Sequence, residues 1–180
     1  MHSPNRRMER RQDVIELLKT EYRVQDVIDY SGLESDGLFP EGTGAMVLDH
    51  VAHIAYTARS NRANAIALER FATHFNYEPM AFDAVDAGGC AVYHTNVLMC
   101  VASDYALIGL NLITDARRRA EACQRQEESG REVIALSAAQ IEVIERSAKL
   151  LPLAVPTIEL AGGSVRCMLA MRAPLAALKC

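Results

Sequence analysis

Three residues of this chain carry groups of the kinds that can work together in catalysis, and each stands just ahead of, or at the entry to, an apolar run: Glu41 in PEGTG, His94 in VYHTN and Cys167 in AGGSVRCML. A thiolate attacks electrophilic carbon, an imidazole moves protons, and a carboxylate orients a neighbour or holds a cationic one. Taken singly, each has an ordinary explanation: a turn acid, a structural histidine, a buried core cysteine. Their recurrence is what makes them candidates. Glu41 and His94 are 53 residues apart, and the segments that follow them share one order of elements. Ahead of Cys167, Gly162 and Gly163 let the backbone turn tightly or approach a ligand, and Ser164 can bond its own turn. Cys90, close before His94, is a rival nucleophile, but no apolar strand follows it directly.

The elements that must position these residues form a repeat. AMVLDH (45–50) and HIAYTA (53–58) read as two strands joined by a tight turn. The segment 62–76 reads as a helix with Ala65, Leu68, Ala72 and Phe75 on one face, and PMAFDA (79–84) as a strand. The order returns with VLMCVAS (97–103) and YALIGLNLI (105–113) as strands. A helix over 115–130 begins at an Asp and ends at a Gly, and EVIALS (132–137) closes the unit as a strand. The offset is about fifty residues, the range of repeat architectures. Partial units flank these two: a helix over 7–22 with a strand over 24–30, then a helix from Ser137, where Ser137 and Gln140 form a capping box. That helix ends at Pro152 and Pro156, and VRCMLAMR (165–172) reads as a strand.

Composition narrows the function. Half of the 180 residues are hydrophobic, which suits one domain with a real core. The net charge of −4 gives no general attraction to nucleic acid, and the basic cluster RRMERR is local. Apolar stretches are interrupted well before membrane-spanning length, and no signal peptide is evident. Five cysteines without CxxC spacing argue against a disulfide framework and fit a reducing cytoplasm. His50 and His53 form an HxxH pair without a third ligand in sight, so a polar hairpin turn is expected there rather than a metal. No GxSxG elbow or P-loop occurs, and DAGGCAVYH lacks dinucleotide-loop spacing.

The stretches PEGTGAMVLDHVAHIAY, VYHTNVLMC and PTIELAGGSVRCMLA, together with SPNRRMERRQDVIE, resemble the arginine deiminase and amidinotransferase superfamily, the penteins. The nearest branch by these motifs is the citrulline-utilisation hydrolase type, and the likeness runs from about Ser3 to Ala170. The resemblance implies an α/β propeller of strand-strand-helix-strand units around a pseudo-fivefold axis, with the active site in the central channel. It implies Cys167 as nucleophile, His94 as general acid/base and Glu41 as the carboxylate that holds guanidinium or ureido nitrogens. Their neighbours Gly42, Thr43, Asn96, Gly163, Ser164 and Arg166 are then expected to contact the substrate. No metal or cofactor is expected. The thiolate attacks the central carbon of the guanidino or ureido group, an amine leaves with a proton from His94, and water or a second amine resolves the covalent intermediate. Water makes a hydrolase and an amine makes an amidinotransferase; a non-catalytic pentein that binds a partner chain is the third alternative.

Against the family pattern the chain lacks an N-terminal part with an Asn-Asn-Trp motif and a strand pair after EVIALSAAQI. A partial propeller is therefore expected, one domain over 1–180 with about three to four units. Such a chain has an open sheet edge. A homo-oligomer or a complementing chain is expected, with little hydrolysis of arginine, citrulline or agmatine by the chain alone.

Overall fold

Asn64 and Asp115 open two helices in the same way. Each has extended backbone, and each accepts a hydrogen bond from the N–H two residues on, Ile66 at 2.9 Å and Arg117 at 2.8 Å. These are N-caps, and they satisfy donors that the first helical turn leaves open. The helices also end alike. Asn76 (φ 55°) and Gly130 (φ 78°) are left-handed, and the next N–H reaches back five residues, Tyr77 to Ala72 O at 2.9 Å and Arg131 to Gln126 O at 3.1 Å. Such left-handed exits stop a helix and turn the chain toward the following strand. In the computed structural model, which describes Arg7 and residues 10–42, 44–86 and 88–136, these helices belong to two copies of one unit.

After helix α1 (Gln12–Glu21), the first unit runs β1 (Val47–Asp49), β2 (Ile54–Ala58), α2 (Ala65–Phe75) and β3 (Glu78–Phe82). The second runs β4 (Met99–Val101), β5 (Tyr105–Ile108), α3 (Ala116–Glu128) and β6 (Glu132–Ala135). In each, the first two strands are an antiparallel hairpin and the third lies parallel to the second, with orders β1-β2-β3 and β4-β5-β6. The registers begin equivalently, Ile54 opposite Glu78 and Tyr105 opposite Glu132. A parallel partner requires a crossover, and α2 and α3 supply it. The architecture is α/β with two small mixed sheets. The chain divides into two compact units, Met1–Gln140 and Ile141–Cys180, and all described residues fall in the first.

One apolar cluster joins the two repeats. Ile54, Tyr56, Met80 and Phe82 from the first pack with Leu98, Met99, Ile108 and Ile113 from the second. β2 is buried along its whole length, as a strand flanked on both edges and covered on both faces must be. Two polar devices fix the joint. The buried Thr95 hydroxyl donates to Ala45 O at 2.6 Å and accepts from Ala58 N at 2.8 Å, so the loop before β4 is tied to the segment leading into β1 and to the end of β2. Below it, Arg131 donates two bonds to the Asp49 carboxylate, at 2.7 and 3.0 Å, with both side chains buried. Burial by itself pushes the Asp49 carboxyl up. Hydrogen bonds from the N–H groups of Ala52 and Val51 and from the guanidinium outweigh that, and hold it below its ordinary value.

Several expectations need correction. The stretch 24–30 is not a strand. Val24 and Val27 are exposed, and among the described residues no strand pairs with this stretch. The helix expected over 7–22 is regular only from Gln12 to Glu21 and buries no residue. The inward face of α2 is Ala67, Leu68 and Ala72. Phe75 is exposed and stacks sideways on Phe71 at 4.7 Å. The strand expected over 105–113 ends at Ile108 and gives way to a 3₁₀ turn at Leu110–Leu112. The helix from Ser137 and the strand over 165–172 lie outside the described residues.

Candidate active site

Glu41 sits in the loop that leads into β1, and two backbone bonds fasten that loop to the segment before α2: Glu41 N to Arg62 O at 2.7 Å and Asn64 N to Phe39 O at 3.0 Å. The loop therefore follows the α2 cap. Glu41 is buried, at 4 % exposure, a place where a carboxylate is rare without charged or polar company. Gly42 is left-handed (φ 81°), which any side chain resists. Its missing Cβ would stand 3.6 Å from the His94 ring, so the backbone here runs directly against the imidazole.

His94 comes from the equivalent loop of the second unit, at extended φ and ψ, half-buried just before β4. Its Nε2 is 3.2 Å from the carbonyl oxygen of Glu41. A carbonyl only accepts, so Nε2 carries a proton here, and in the neutral ring the lone pair is on Nδ1. Tyr93 packs beside the ring at 4.7 Å, and the Arg62 guanidinium lies 5.0 Å above Tyr93. Two residues on, Asn96 N donates to Gly44 O at 3.2 Å. Its side-chain amide covers Gly44 so closely that a Cβ there would fall 2.5 Å from Oδ1. Gly44→Ala is therefore expected to displace Asn96 and to cost about 1–3 kcal/mol. Urea denaturation would read the loss, and adding Asn96→Ala should restore most of it.

Of the candidate residues, the structure brings together Glu41, Gly42 and His94, and it sets Asn96 against Gly44 of the same loop. Thr43, Gly163, Ser164, Arg166 and Cys167 lie outside the described residues. Beside Glu41 and Gly42 opens a cavity of about 670 Å³, walled by α1, by residues 27–31 and by the loop 38–42. No motif in the sequence marks this cavity or Arg62. Arg62 opens the stretch expected as a helix, but the helix starts only after the Asn64 cap, which leaves Arg62 in the loop before it. His50 and His53 stand at the β1–β2 turn, where His50 Nδ1 meets the Tyr77 hydroxyl at 2.6 Å and His53 Nδ1 donates to Asn76 O at 3.1 Å. Cys90 is exposed in a loop closed on the Asp86 carboxylate. Cys123 is half-buried on α3, where burial and then Glu127 push its thiol up. Among the described residues no helix is long and apolar enough to cross a membrane.

Comparison with known proteins bears on the whole arrangement. Among solved structures, the N-terminal domain of ArgZ matches, an arginine dihydrolase from the ornithine-ammonia cycle in cyanobacteria. A mutant of that domain bound to substrate is 16% identical with a TM-score of 0.53, covering 68% of this chain and 53% of that one. The same domain bound to product is 16% identical with a TM-score of 0.53, covering 71% and 54%. A further form of it is covalently bonded to a reaction intermediate. At this identity the likeness is one of fold, and the chain spans about half the length of these structures. No curated protein matches. The profile of one family, described as N,N dimethylarginine dimethylhydrolase, eukaryotic, matches residues 1–144 and 135–173. The repeated strand-strand-helix-strand units, the paired Glu41 and His94 loops and this match over most of the sequence have one explanation: the chain belongs to the eukaryotic N,N-dimethylarginine dimethylhydrolase family of the pentein superfamily.

Proposed function

We propose that the protein is a cysteine-dependent hydrolase acting on the guanidino or ureido group of an arginine-like compound, with Cys167 as nucleophile, His94 as acid/base and Glu41 as the substrate-holding carboxylate. The observation that carries this reading is the meeting of the Glu41 and His94 loops, equivalent in two repeats, where His94 Nε2 donates to the Glu41 backbone carbonyl and Glu41 itself is buried. A guanidinium brought there loses water, and a buried anion offsets that cost. The Cys167 thiolate adds to the central carbon, and the C–N bond to the terminal amine breaks as that nitrogen takes a proton from His94. Water, losing a proton to His94, then displaces the thiolate. From a guanidino group the products are a ureido compound and an amine, dimethylamine from N,N-dimethylarginine and ammonia from arginine; from the ureido group of citrulline they are a carbamate and ammonia. The matched family's name supports the first substrate. The covalent intermediate held by the related ArgZ domain supports the thiolate route. Gly42, Thr43, Asn96, Gly163, Ser164 and Arg166 complete the substrate's surroundings in this reading.

The proposal extends to architecture: residues 1–180 form one pentein-like domain, a partial propeller, whose working form is a homo-oligomer or a complex with a complementing chain. The wholly unburied α1, with Leu17, Leu18 and Tyr22 exposed, supports association. The test is amine release from N,N-dimethylarginine, arginine and citrulline across a range of protein concentrations, with light scattering on the same samples. The expected result is release that rises with association. No release from any of the three at any concentration refutes the hydrolase.

A further inference from the structure

Residues 60–64, in the link from β2 to α2, fasten both loops of the candidate active site. The Arg62 carbonyl accepts from Glu41 N at 2.7 Å. The Ser60 hydroxyl accepts from Arg62 N at 3.2 Å and donates to Tyr93 O at 2.9 Å. The Arg62 guanidinium lies 5.0 Å from the centre of the Tyr93 ring, and Tyr93 packs on the His94 ring at 4.7 Å, tilted by 47°. His94 Nε2 closes the circuit by donating to Glu41 O at 3.2 Å. Among the described residues no carboxylate pairs with Arg62, so the aromatic face of Tyr93 is where its cation rests. The backbone on either side of His94 is fixed, at Tyr93 O by Ser60 and at Thr95 by Ala45 and Ala58. What is left to set is the pair of side-chain torsions of the imidazole. The Nε2 bond, at the long end of the hydrogen-bond range, restrains the ring at one atom, and the Tyr93 contact restrains its plane.

We infer that Arg62 and Tyr93 are positioning residues that brace the His94 imidazole. Tyr93, steadied by Arg62 and Ser60, holds the ring where Nε2 donates to the Glu41 carbonyl and Nδ1 of the neutral ring carries the lone pair that moves the proton. The inference rests on the function proposed above and adds to it two residues that act through His94 rather than on substrate. A proton passes well only along a short, aligned path, so a ring that turns about its torsions loses rate while substrate binding is kept. The bond to Glu41 comes from the Arg62 main chain, so replacing the Arg62 side chain loosens Tyr93 and leaves the Glu41 loop fastened.

Two readouts on the full chain test it. The first is solvent exchange of the His94 Nε2 proton in proton–nitrogen NMR spectra, assigned by its loss in His94→Gln. Exchange should quicken about tenfold or more in Tyr93→Leu, which removes the ring, and about two- to five-fold in Arg62→Met, which removes the cation. Tyr93→Phe and Arg62→Lys, which keep ring and cation, should retain the original rate. The His53 Nδ1 proton, held by Asn76 O on the β1–β2 turn, should keep its rate in every variant. The second readout is amine release: Tyr93→Leu should lower kcat about tenfold or more with KM within about twofold, and Tyr93→Phe should restore it. Unchanged His94 exchange in Tyr93→Leu overturns the inference. So does His53 exchange that quickens in step, the mark of a general loosening of the fold, or a raised KM at unchanged kcat, the mark of a residue that binds substrate. Exchange is read without turnover, so the two proposals fail separately: the expected exchange pattern without amine release sinks the hydrolase and keeps the brace, and amine release with uniform exchange sinks the brace and keeps the hydrolase.

Discussion

Cys167→Ala is expected to end amine release, and His94→Ala to slow it by about 10²–10⁴-fold. The two losses differ because the groups do different work. Without the thiolate no bond forms to the central carbon, and water alone attacks a resonance-stabilised guanidinium very slowly. Without the imidazole the bond can still form, but the amine must leave without its proton. Brief treatment with a haloacetamidine, whose cation mimics the substrate head, followed by mass spectrometry reads the first step alone. Cys167 should label first. The alternatives are poor: Cys100 is half-buried in β4, and the Cys123 thiol is pushed up by burial and Glu127. Cys90 is exposed, so access gives it background labelling. Substrate should protect Cys167 and leave Cys90 unprotected. Substrate-protected labelling of Cys90 would move the nucleophile there and leave Glu41 and His94 in their roles.

The repeat was legible because its signals are local. Asn64 and Asp115 cap their own helices, Gly130 ends its own, and the hairpins need only short turns. From that order the convergence of Glu41 and His94 follows, since equivalent loops of neighbouring units meet. What failed depends on partners the sequence does not advertise. Val24, Val27 and Ile28 give the stretch strand-forming composition, yet a strand exists only where a neighbour offers its N–H and C=O groups. Of the four residues expected on the α2 core face, Leu68 and Ala72 are buried, with Ala67 beside them, while Ala65 and Phe75 at the two ends of the helix are exposed. Thr95 reads as an ordinary loop threonine until its hydroxyl is seen between Ala45 and Ala58. Arg131 follows a turn glycine, where a solvated charge is usual, and its partner is 82 residues away. Cys167, the residue most legible as chemistry, lies outside the described part of the chain.

Asp49→Ala is expected to destabilise the fold by about 3–5 kcal/mol, because it leaves the Arg131 guanidinium buried without its anion. Against the usual total of about 5–15 kcal/mol, that is a large fraction. In urea, with a slope of about 2 kcal/mol/M, the midpoint should fall by about 2 M. The remaining partners of Arg131, Ala102 O at 2.7 Å and Gln126 Oε1 at 3.3 Å, are neutral and do not balance the charge. The double replacement Asp49→Leu with Arg131→Met should cost less than Asp49→Ala alone, since it removes the orphan as well as the pair. The pH dependence has a definite sign. The folded pKa of Asp49 lies below its ordinary value of 3.8, so the carboxylate's contribution is complete above that value. It is lost as the pH falls through the folded pKa, where the folded chain must take up a proton against the guanidinium. The gap between the urea midpoints of the unmodified chain and Asp49→Ala should therefore stay constant from pH 7 to about pH 4 and narrow only below 3.8. Curves that stay parallel to the acid end, or a loss below 1 kcal/mol in Asp49→Ala, would mean that the joint between the repeats is held by the Thr95 bridge and the apolar cluster without help from the ion pair.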